Sequence, residues 1–367
     1  DKPIPPFISE LTGITQDDVS SAPELEEVIS DILPRLDQSI LAAHNASFDL
    51  GFLQRALDEC GYGYFNGRVI DTVDLLKMLY PGQTSMQLSV IASDLGIAHE
   101  RPHRADCDAL ATAQLLIKCM ERLEQLPLLT IQRIEQQLLQ GTEAAADLAW
   151  LVSQVREEKE LQAAASVAED HHQYYRQFAL KNGEWSSEDE LAEDDASALD
   201  EHSFASFLEQ LKMNLSEKFE QFESRSAQEE MMEHVYSALS EHHHLMIEAG
   251  TGTGKSLGYL IPALYYSLMH DETVVVGTHT IHLQEQLLKR DIPLLQQVFP
   301  APFKAALLKG RNHYLCLRKF EQQANRFEPG RSKEEVLTIA QMIVWLGQTD
   351  DGDDEELHFT AKGKKIW

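Results

Sequence analysis

A nine-residue segment constrains the fold of this chain more than any other feature. Residues Glu248 to Ser256 read Glu-Ala-Gly-Thr-Gly-Thr-Gly-Lys-Ser, after the apolar run Leu245 to Ile247 and before apolar residues at helical spacing. This order predicts a short buried strand, a loop and a helix N-terminus, where backbone N–H groups and the helix dipole favour an anion. We predict a phosphate-binding loop, in which Lys255 supplies a charge and Ser256 a hydroxyl for Mg²⁺. A glycine-rich turn that holds no nucleotide is the alternative.

The bulk composition bounds the number of domains and the kind of partner. With 367 residues, of which 43% are hydrophobic, the chain can bury more than one core. The net charge of -29 argues against a basic surface over the whole molecule, so any contact with nucleic acid must be local. Four cysteines without a Cys-x-x-Cys pair predict reduced thiols in the cytoplasm, and no apolar run is long enough to predict a membrane span.

The pattern of apolar residues divides the chain into three parts, and the predicted class is α/β. Residues 1–127 alternate short strands and helices. Residues 128–221 are polar and helical, and their acidic run at 184–201 is interpreted as a solvated linker. An acidic arm that mimics DNA or docks a partner is the alternative. Residues 222–367 form a second α/β part, with the phosphate loop and a strand at 273–278.

Two carboxylates in the first part occupy positions suited to a metal ion. Asp49 lies in the first turn of a helix predicted after a buried strand at 40–43, and Asp108 lies one turn into another helix, five residues after His103. Carboxylates are the ligands that Mg²⁺ or Mn²⁺ requires, and a histidine beside them can deprotonate water. From the residues alone, each aspartate could instead be a helix cap or a partner of the helix dipole.

The sequence around these residues resembles a nuclease family, the DEDD exonucleases of the His-containing subgroup. The resemblance implies an RNase H-like domain that releases nucleotides from 3′ ends with two metal ions. It implies that Asp49 and Asp108 are metal ligands and His103 the general base. It also implies that Asn45 and Phe48 contact the nucleic acid. The matching positions are Leu11 to Thr15 (Leu-Thr-Gly-Ile-Thr), Asn45, Phe48, Asp49, His103 and Asp108.

The resemblance is incomplete at its first motif. The Asp-x-Glu strand, which supplies two of the family's four metal carboxylates, has no counterpart in a sequence that begins at Asp1. We therefore expect a fragment that lacks the first strands and is inactive alone. Asp71, in a strand predicted at 69–73, is expected to be a structural turn residue and Asp106 a surface residue. His44 is expected to be a buried packing or hydrogen-bonding residue.

The phosphate loop and the segment before it resemble helicase motifs. The loop from Ala249 matches the variant Ala-x-Thr-Gly-x-Gly-Lys-Ser. Upstream, Arg225 and Gln228 resemble the motif that reads adenine, because a glutamine offers both a donor and an acceptor to the edge of the base. Ordinary helix surface is the alternative for this pair. The residues expected to bind ATP are Arg225, Gln228, Gly250, Thr251, Gly252, Thr253, Gly254, Lys255 and Ser256.

Segments after the loop resemble the parts of helicases that hold a single strand. Thr278, Thr280 and Gln284 resemble motif Ia, whose hydroxyls and backbone amides bind phosphates, and Arg311 lies in a basic segment suited to the same strand. Together with the loop, these motifs resemble the DinG and XPD group of superfamily 2 helicases. The resemblance implies a RecA-like domain.

Two features of that helicase group are missing. Cys316 stands where iron–sulfur members of the group place their first cluster ligand, but four thiolates are needed and no cysteine follows it. We therefore expect no iron–sulfur cluster and a buried structural cysteine. The Asp-Glu-Ala-His box is also absent, so the RecA-like domain is expected to be incomplete.

An exonuclease of this subgroup joined to a helicase of this group resembles the DinG-type family of Gram-positive bacteria. The resemblance implies an enzyme of DNA repair or processing. It would be a 3′–5′ exonuclease that uses Mg²⁺ or Mn²⁺, coupled to an ATP-binding helicase module. Its expected partners are DNA, mainly single-stranded, and ATP, without a membrane. A non-catalytic, nucleotide-sensing DNA-binding module with a degenerate nuclease fold is the alternative.

Overall fold

Helices predominate in this chain, which divides into two units. The computed structural model describes residues 3–37, 39–163, 203–218, 225–250, 252–350, 352–359 and 363. The first unit comprises Asp1–Glu184 and Gly310–Trp367, and the second comprises Trp185–Lys309. The acidic run predicted as a linker at 184–201 and the loop residue Thr251 lie outside the described residues.

The first unit begins with a small α/β region. Its strands β1 and β2 pair in parallel, with Leu41 opposite Val69 and Ala43 opposite Asp71. A parallel pair requires a crossover connection, which contains the helix α4. Both strands therefore end at the same edge, where α4 and α5 begin. The elements are α1 (Pro6–Thr12), α2 (Gln16–Ser20), α3 (Leu25–Leu36), β1 (Leu41–Ala43), α4 (Ala46–Glu59), β2 (Val69–Asp71), α5 (Thr72–Leu79), α6 (Leu88–Asp94), α7 (Ala105–Gln125), α8 (Leu128–Leu138) and α9 (Ala146–Ala163).

The second unit is built around an aromatic core. Phe204, Phe207, Tyr265 and Phe299 are buried together, and the ring centroids of Phe207 and Tyr265 are 4.6 Å apart. The helices are α10 (Phe204–Lys218), α11 (Ser226–Ser240), α12 (Lys255–His270), α13 (Ile281–Gln286) and α14 (Ile292–Val298). Helix α11 packs against α12, and a π-helical turn at Leu287–Asp291 joins α13 to α14.

The chain then returns to the first unit with α15 (Leu317–Ala324) and α16 (Lys333–Leu346). Helix α16 begins with a capping box, in which the Ser332 side chain accepts from the Glu335 backbone and the Glu335 side chain accepts from the Ser332 backbone. Every residue from Val336 to Leu346 is buried. A helix that is buried all round belongs in a core, and α16 packs against α5 and α8.

Polar contacts fix this return segment in the first unit. The Gln341 side chain donates to the carbonyls of Pro81 (3.2 Å) and His358 (3.1 Å), and Arg331 donates to the Gln137 side chain at 3.1 Å. The apolar faces of α8 and α16 bury each other, although a long stretch of chain separates them in sequence. The predicted domain bounds at residues 128 and 222 stay a prediction.

The structure corrects two strand predictions in the second unit. Residues 245–247 and 273–278 are not in strands, and the exposed fractions of Met246 and Val275 are 97% and 87%. A strand needs a neighbour to satisfy its backbone groups, and none pairs with these segments among the described residues. The described part of the chain is therefore mostly helical, and its only sheet is the pair β1 and β2.

The strands predicted at 40–43 and 69–73 are present as β1 and β2, each three residues long. Strand β1 is only partly buried. Over the described ranges, the structure contains no helix with the length and apolar character needed to cross a membrane.

Candidate active sites

The ends of β1 and β2 form a turn that positions the start of α4. The Asp71 carboxylate accepts hydrogen bonds from the backbone N–H groups of Asn45 (3.0 Å), Ala46 (3.0 Å) and Val73 (2.9 Å). Asn45 has φ of 67°, a left-handed conformation that asparagine adopts more readily than most residues. Asp71 therefore caps α5 and holds the turn before α4, which agrees with its predicted structural role.

The first turn of α4 presents Asp49 to solvent beside two aromatic rings. Asp49 is exposed, and Phe48 and Phe52 are 64% and 65% exposed with ring centroids 5.1 Å apart. Helix α4 buries only Ala46 and Leu57, so both rings lie outside its buried side. An exposed carboxylate next to exposed rings suits the end of a nucleic-acid strand, whose bases can stack on aromatic side chains.

Asp108, in the first turn of α7, is held from two directions. His99 donates from Nε2 to Asp108 Oδ1 at 2.7 Å, and the backbone N–H of His103 donates to the same oxygen at 3.3 Å. His103 has φ of 70°, and its side chain is exposed. Within the described ranges, Oδ2 of Asp108 accepts no hydrogen bond. Oδ2 of Asp108 and the imidazole ring of His103 therefore remain available for chemistry.

Sequence reasoning did not identify His99 as part of this site. A histidine in a polar loop carries no periodic signal, and the family motif used for the prediction begins at His103.

The structure agrees with the roles predicted for Asp106 and His44. Asp106 is exposed and pairs with Arg104 at 3.2 Å, and this hydrogen bond lowers the pKa of the Asp106 carboxyl. His44 places Nδ1 2.9 Å from Thr72 Oγ1 and Nε2 2.7 Å from a backbone carbonyl, so it is a hydrogen-bonding residue.

The oxygen donors near Asp49 and Asp108 fit a metal ion only in part. Asp49 and Asp108 carry the hard oxygen donors that Mg²⁺ prefers. Over the part of the chain that the structure describes, however, no three His, Cys, Asp or Glu side chains are grouped to hold a metal ion. These residues therefore do not form a metal cage by themselves. The metal-ligand roles of Asp49 and Asp108 stay predictions.

The phosphate loop precedes α12, as the sequence predicts. Gly252 and Gly254 have φ of 82° and 76°, a region that residues with a Cβ rarely adopt. Lys255 Nζ donates to the carbonyl of Ala249 at 2.9 Å, and Thr253 Oγ1 donates to that of Gly250 at 3.0 Å. The loop is thus tied to itself through its own carbonyls. Ser256 follows in the first turn of α12.

Arg225 and Gln228, predicted to read adenine, contact the loop backbone. Arg225 donates to the carbonyl of Gly252, and the buried Gln228 donates to that of Gly254 at 2.8 Å. These bonds join the start of α11 to the loop, so both residues are placed at the loop. Their role in reading a base stays a prediction.

The residues predicted to hold a single strand fall in both units. In the second unit, Thr280 caps α13 by accepting from the Leu283 backbone at 3.3 Å, and Thr278 donates to the Thr280 carbonyl at 3.4 Å. Gln284 is half-buried in α13. Arg311 is exposed and belongs to the first unit. Strand binding by these four residues stays a prediction.

Cys316 is not the buried structural cysteine that the sequence predicts. It is exposed at the N-cap of α15, whose buried side is formed by Phe320 and Ala324. Burial raises the pKa of the Cys119 thiol to about 12, so that cysteine is protonated and unreactive.

Comparison with known proteins defines the class of each half. The family model for exonucleases matches residues 1–116, and the model for DEAD/DEAH box helicases matches residues 225–322. The chain therefore contains an exonuclease domain followed by a DEAD/DEAH box helicase domain. Asp49, His103 and Asp108 lie within the first match, and the phosphate loop lies within the second.

The relatives carry both halves in the same order. The chain is 34% identical over 367 residues to the 3'-5' exonuclease DinG of Bacillus subtilis and 32% identical over 369 residues to that of Staphylococcus epidermidis. Each alignment covers 100% of this chain but 38% of the relative. The chain thus spans less than two-fifths of the length of these relatives. No solved structure matches it.

Proposed function

We propose that the protein containing this chain is a 3′–5′ exonuclease that acts on DNA, mainly at single-stranded 3′ ends. Its exonuclease domain is coupled to an ATP-binding helicase module, and its role is DNA repair or processing in the cytoplasm. Support comes from the two domain matches and from the name that the DinG relatives carry. Because the chain spans 38% of those relatives, the activity of the whole protein is part of the proposal.

The observation that carries the proposal is the arrangement at the start of α7. Asp108 Oδ1 is occupied by His99 and by the backbone of His103, while the ring of His103 is exposed. A fixed carboxylate next to a free imidazole is suited to accepting a proton from an attacking water. Asn45 and Phe48, at the start of α4, are proposed to contact the terminal nucleotide.

We propose Mg²⁺ or Mn²⁺ as the cofactor of the nuclease, with Asp49 and Asp108 among its ligands. When bound, such an ion would supply charge that stabilises the scissile phosphate and the departing 3′ oxygen. The ATP proposal rests on other residues. Lys255 and Ser256 begin α12, whose N-terminus offers unpaired N–H groups to a phosphate. The single strand is proposed to contact Thr278, Thr280, Gln284 and Arg311.

The test compares two substitutions in the full-length protein. Asp49→Ala is expected to abolish release of labelled nucleotide from single-stranded DNA and to spare DNA-stimulated ATP hydrolysis. Lys255→Ala is expected to abolish DNA-stimulated ATP hydrolysis and to spare ATP-free release of nucleotide, because the phosphate loop lies in a different unit from Asp49. Release is measured with and without ATP. Loss of ATP-free digestion in Lys255→Ala would contradict the assignment of separate sites.

A second candidate is a non-catalytic, nucleotide-sensing DNA-binding module with a degenerate nuclease fold. It is favoured by the lack of a three-donor metal group in the described ranges. The same assay separates the two candidates. A sensing module would bind single-stranded DNA in a nucleotide-dependent way but would release nothing from 3′ ends, with either Mg²⁺ or Mn²⁺.

A further inference from the structure

We propose that His99 is a positioning residue of the exonuclease site, acting through Asp108. The inference rests on the proposed nuclease function and adds a residue outside its known motif. The His99 side chain is only 6% exposed, and its Nε2 lies 2.7 Å from Asp108 Oδ1. A carboxylate oxygen accepts, so Nε2 is the ring nitrogen that carries the proton.

The other ring nitrogen shows that packing alone does not account for His99. Its Nδ1 is buried and has no hydrogen-bond partner in the described part of the chain. A histidine that serves only structure would use both nitrogens, as His44 does with Thr72 and Met86. Burying an unpaired polar atom is unfavourable, and an apolar side chain would fill the same space without that cost. The bond to Asp108 is what a leucine could not supply.

The geometry at Asp108 indicates what His99 positions. Oδ1 of Asp108 accepts hydrogen bonds from His99 Nε2 and from the backbone N–H of His103. Oδ1 is therefore turned toward the protein, and Oδ2 is left facing outward. The same oxygen holds the backbone of His103 in its left-handed conformation, with φ of 70°. His99 therefore fixes the rotamer of Asp108, and Asp108 in turn fixes the peptide that carries the proposed general base. Without His99, both groups gain freedom that catalysis must remove.

The experiment uses two substitutions of similar size in the full-length protein. His99→Leu fills the space but cannot donate, whereas His99→Gln retains an N–H donor on a side chain of comparable reach. We expect His99→Leu to lower kcat for nucleotide release roughly 10- to 100-fold, the usual effect of removing a residue that orients a reacting group, with little change in KM. His99→Gln should recover most of that loss.

A control separates positioning from stability. Gln137→Leu removes a buried hydrogen bond of 2.6 Å to the Ala324 carbonyl, on α8 of the same unit. It should lower the melting temperature at least as much as His99→Leu while leaving kcat unchanged. Equal kcat in His99→Leu and the parent would overturn the proposal. So would an equal fall in the Leu and Gln variants, because that would show a need for the ring rather than for the donor.

A readout independent of activity distinguishes this inference from the proposed function. Amide hydrogen exchange of the peptide containing His103 should be faster in His99→Leu than in the parent and near the parent rate in His99→Gln. If the parent releases no nucleotide, the proposed function fails, and this exchange pattern alone decides whether His99 holds Asp108. Unchanged exchange in His99→Leu would overturn the positioning role whether or not the protein is a nuclease.

Discussion

At the scale of single residues, Lys255 tests the ATP assignment most directly. Its ammonium group lies 2.9 Å from the Ala249 carbonyl and is exposed, so it can turn to a phosphate without leaving a core. We predict that Lys255→Ala weakens binding of Mg²⁺–ATP by about 1.5 to 3 kcal/mol, the range for hydrogen bonds to charged groups. Titration calorimetry on parent and variant measures the difference. Equal affinity would remove Lys255 from the site.

A second residue-scale prediction concerns the ion pair between Asp74 on α5 and Lys333 on α16. Burial raises the pKa of the Asp74 carboxyl above its ordinary value, and the hydrogen bond and charge of Lys333 oppose that rise. In Lys333→Met, an ionised Asp74 would be buried without this partner. The Asp74 pKa would rise further, so stability would be lost as pH rises through that pKa.

The expected loss for Lys333→Met at neutral pH is roughly 1 to 3 kcal/mol, between the values for surface and buried pairs, because Lys333 is partly exposed. It should shrink well below the ordinary Asp pKa of about 4, where Asp74 is protonated in both the folded and unfolded states. Urea unfolding at the two pH values measures it. The double variant Asp74→Asn/Lys333→Met should recover most of the neutral-pH loss; a double variant as unstable as the single one would refute this cause.

At the scale of elements, the start of α12 depends on a glycine in a left-handed conformation. Gly254 has φ of 76°, and a Cβ at this position would overlap the Gln228 side chain. We predict that Gly254→Ala destabilises the loop by about 1 to 3 kcal/mol, the cost of a left-handed residue in a constrained site. Gly250→Ala is the matched control, because a Cβ there meets nothing within 4 Å. Amide exchange of the loop without ATP should be faster only in Gly254→Ala.

Elements with local signals could be predicted from the sequence, whereas those that depend on distant partners could not. The loop before α12 follows from glycine spacing, and β1 and β2 follow from short apolar runs. The segment 273–278 has the same apolar character, but no strand lies beside it among the residues that the structure describes, so propensity did not decide its structure. His99 was missed for a similar reason, since it lies in a loop without periodicity and its partner Asp108 is nine residues away, in the first turn of α7.

At the scale of the whole molecule, α16 is held in place by elements that are distant in sequence. No local pattern in residues 333–346 shows that these partners are α5 and α8. The model for DEAD/DEAH box helicases ends at residue 322, and residues 333–346 then contribute to the core that holds α7 and Asp108. The stability of the first unit therefore depends on residues that follow the phosphate loop in the sequence.

This dependence makes a paired prediction with two large aromatic residues. Trp345 on α16 is 2% exposed and donates to Glu356 at 2.9 Å, and Tyr265 on α12 is 2% exposed in the other unit. Trp345→Ala should destabilise the first unit by about 3 to 5 kcal/mol, through lost burial and the cavity left behind. Amide exchange in α5, α7 and α8 should accelerate, and nucleotide release should fail at lower temperature than in the parent. ATP binding should persist, because the phosphate loop belongs to the second unit.

Tyr265→Ala should produce the opposite pattern, with faster amide exchange in α11 and α12 and weaker ATP binding. If Trp345→Ala left amide exchange in α5 and α8 unchanged, α16 would not belong to the core of the first unit.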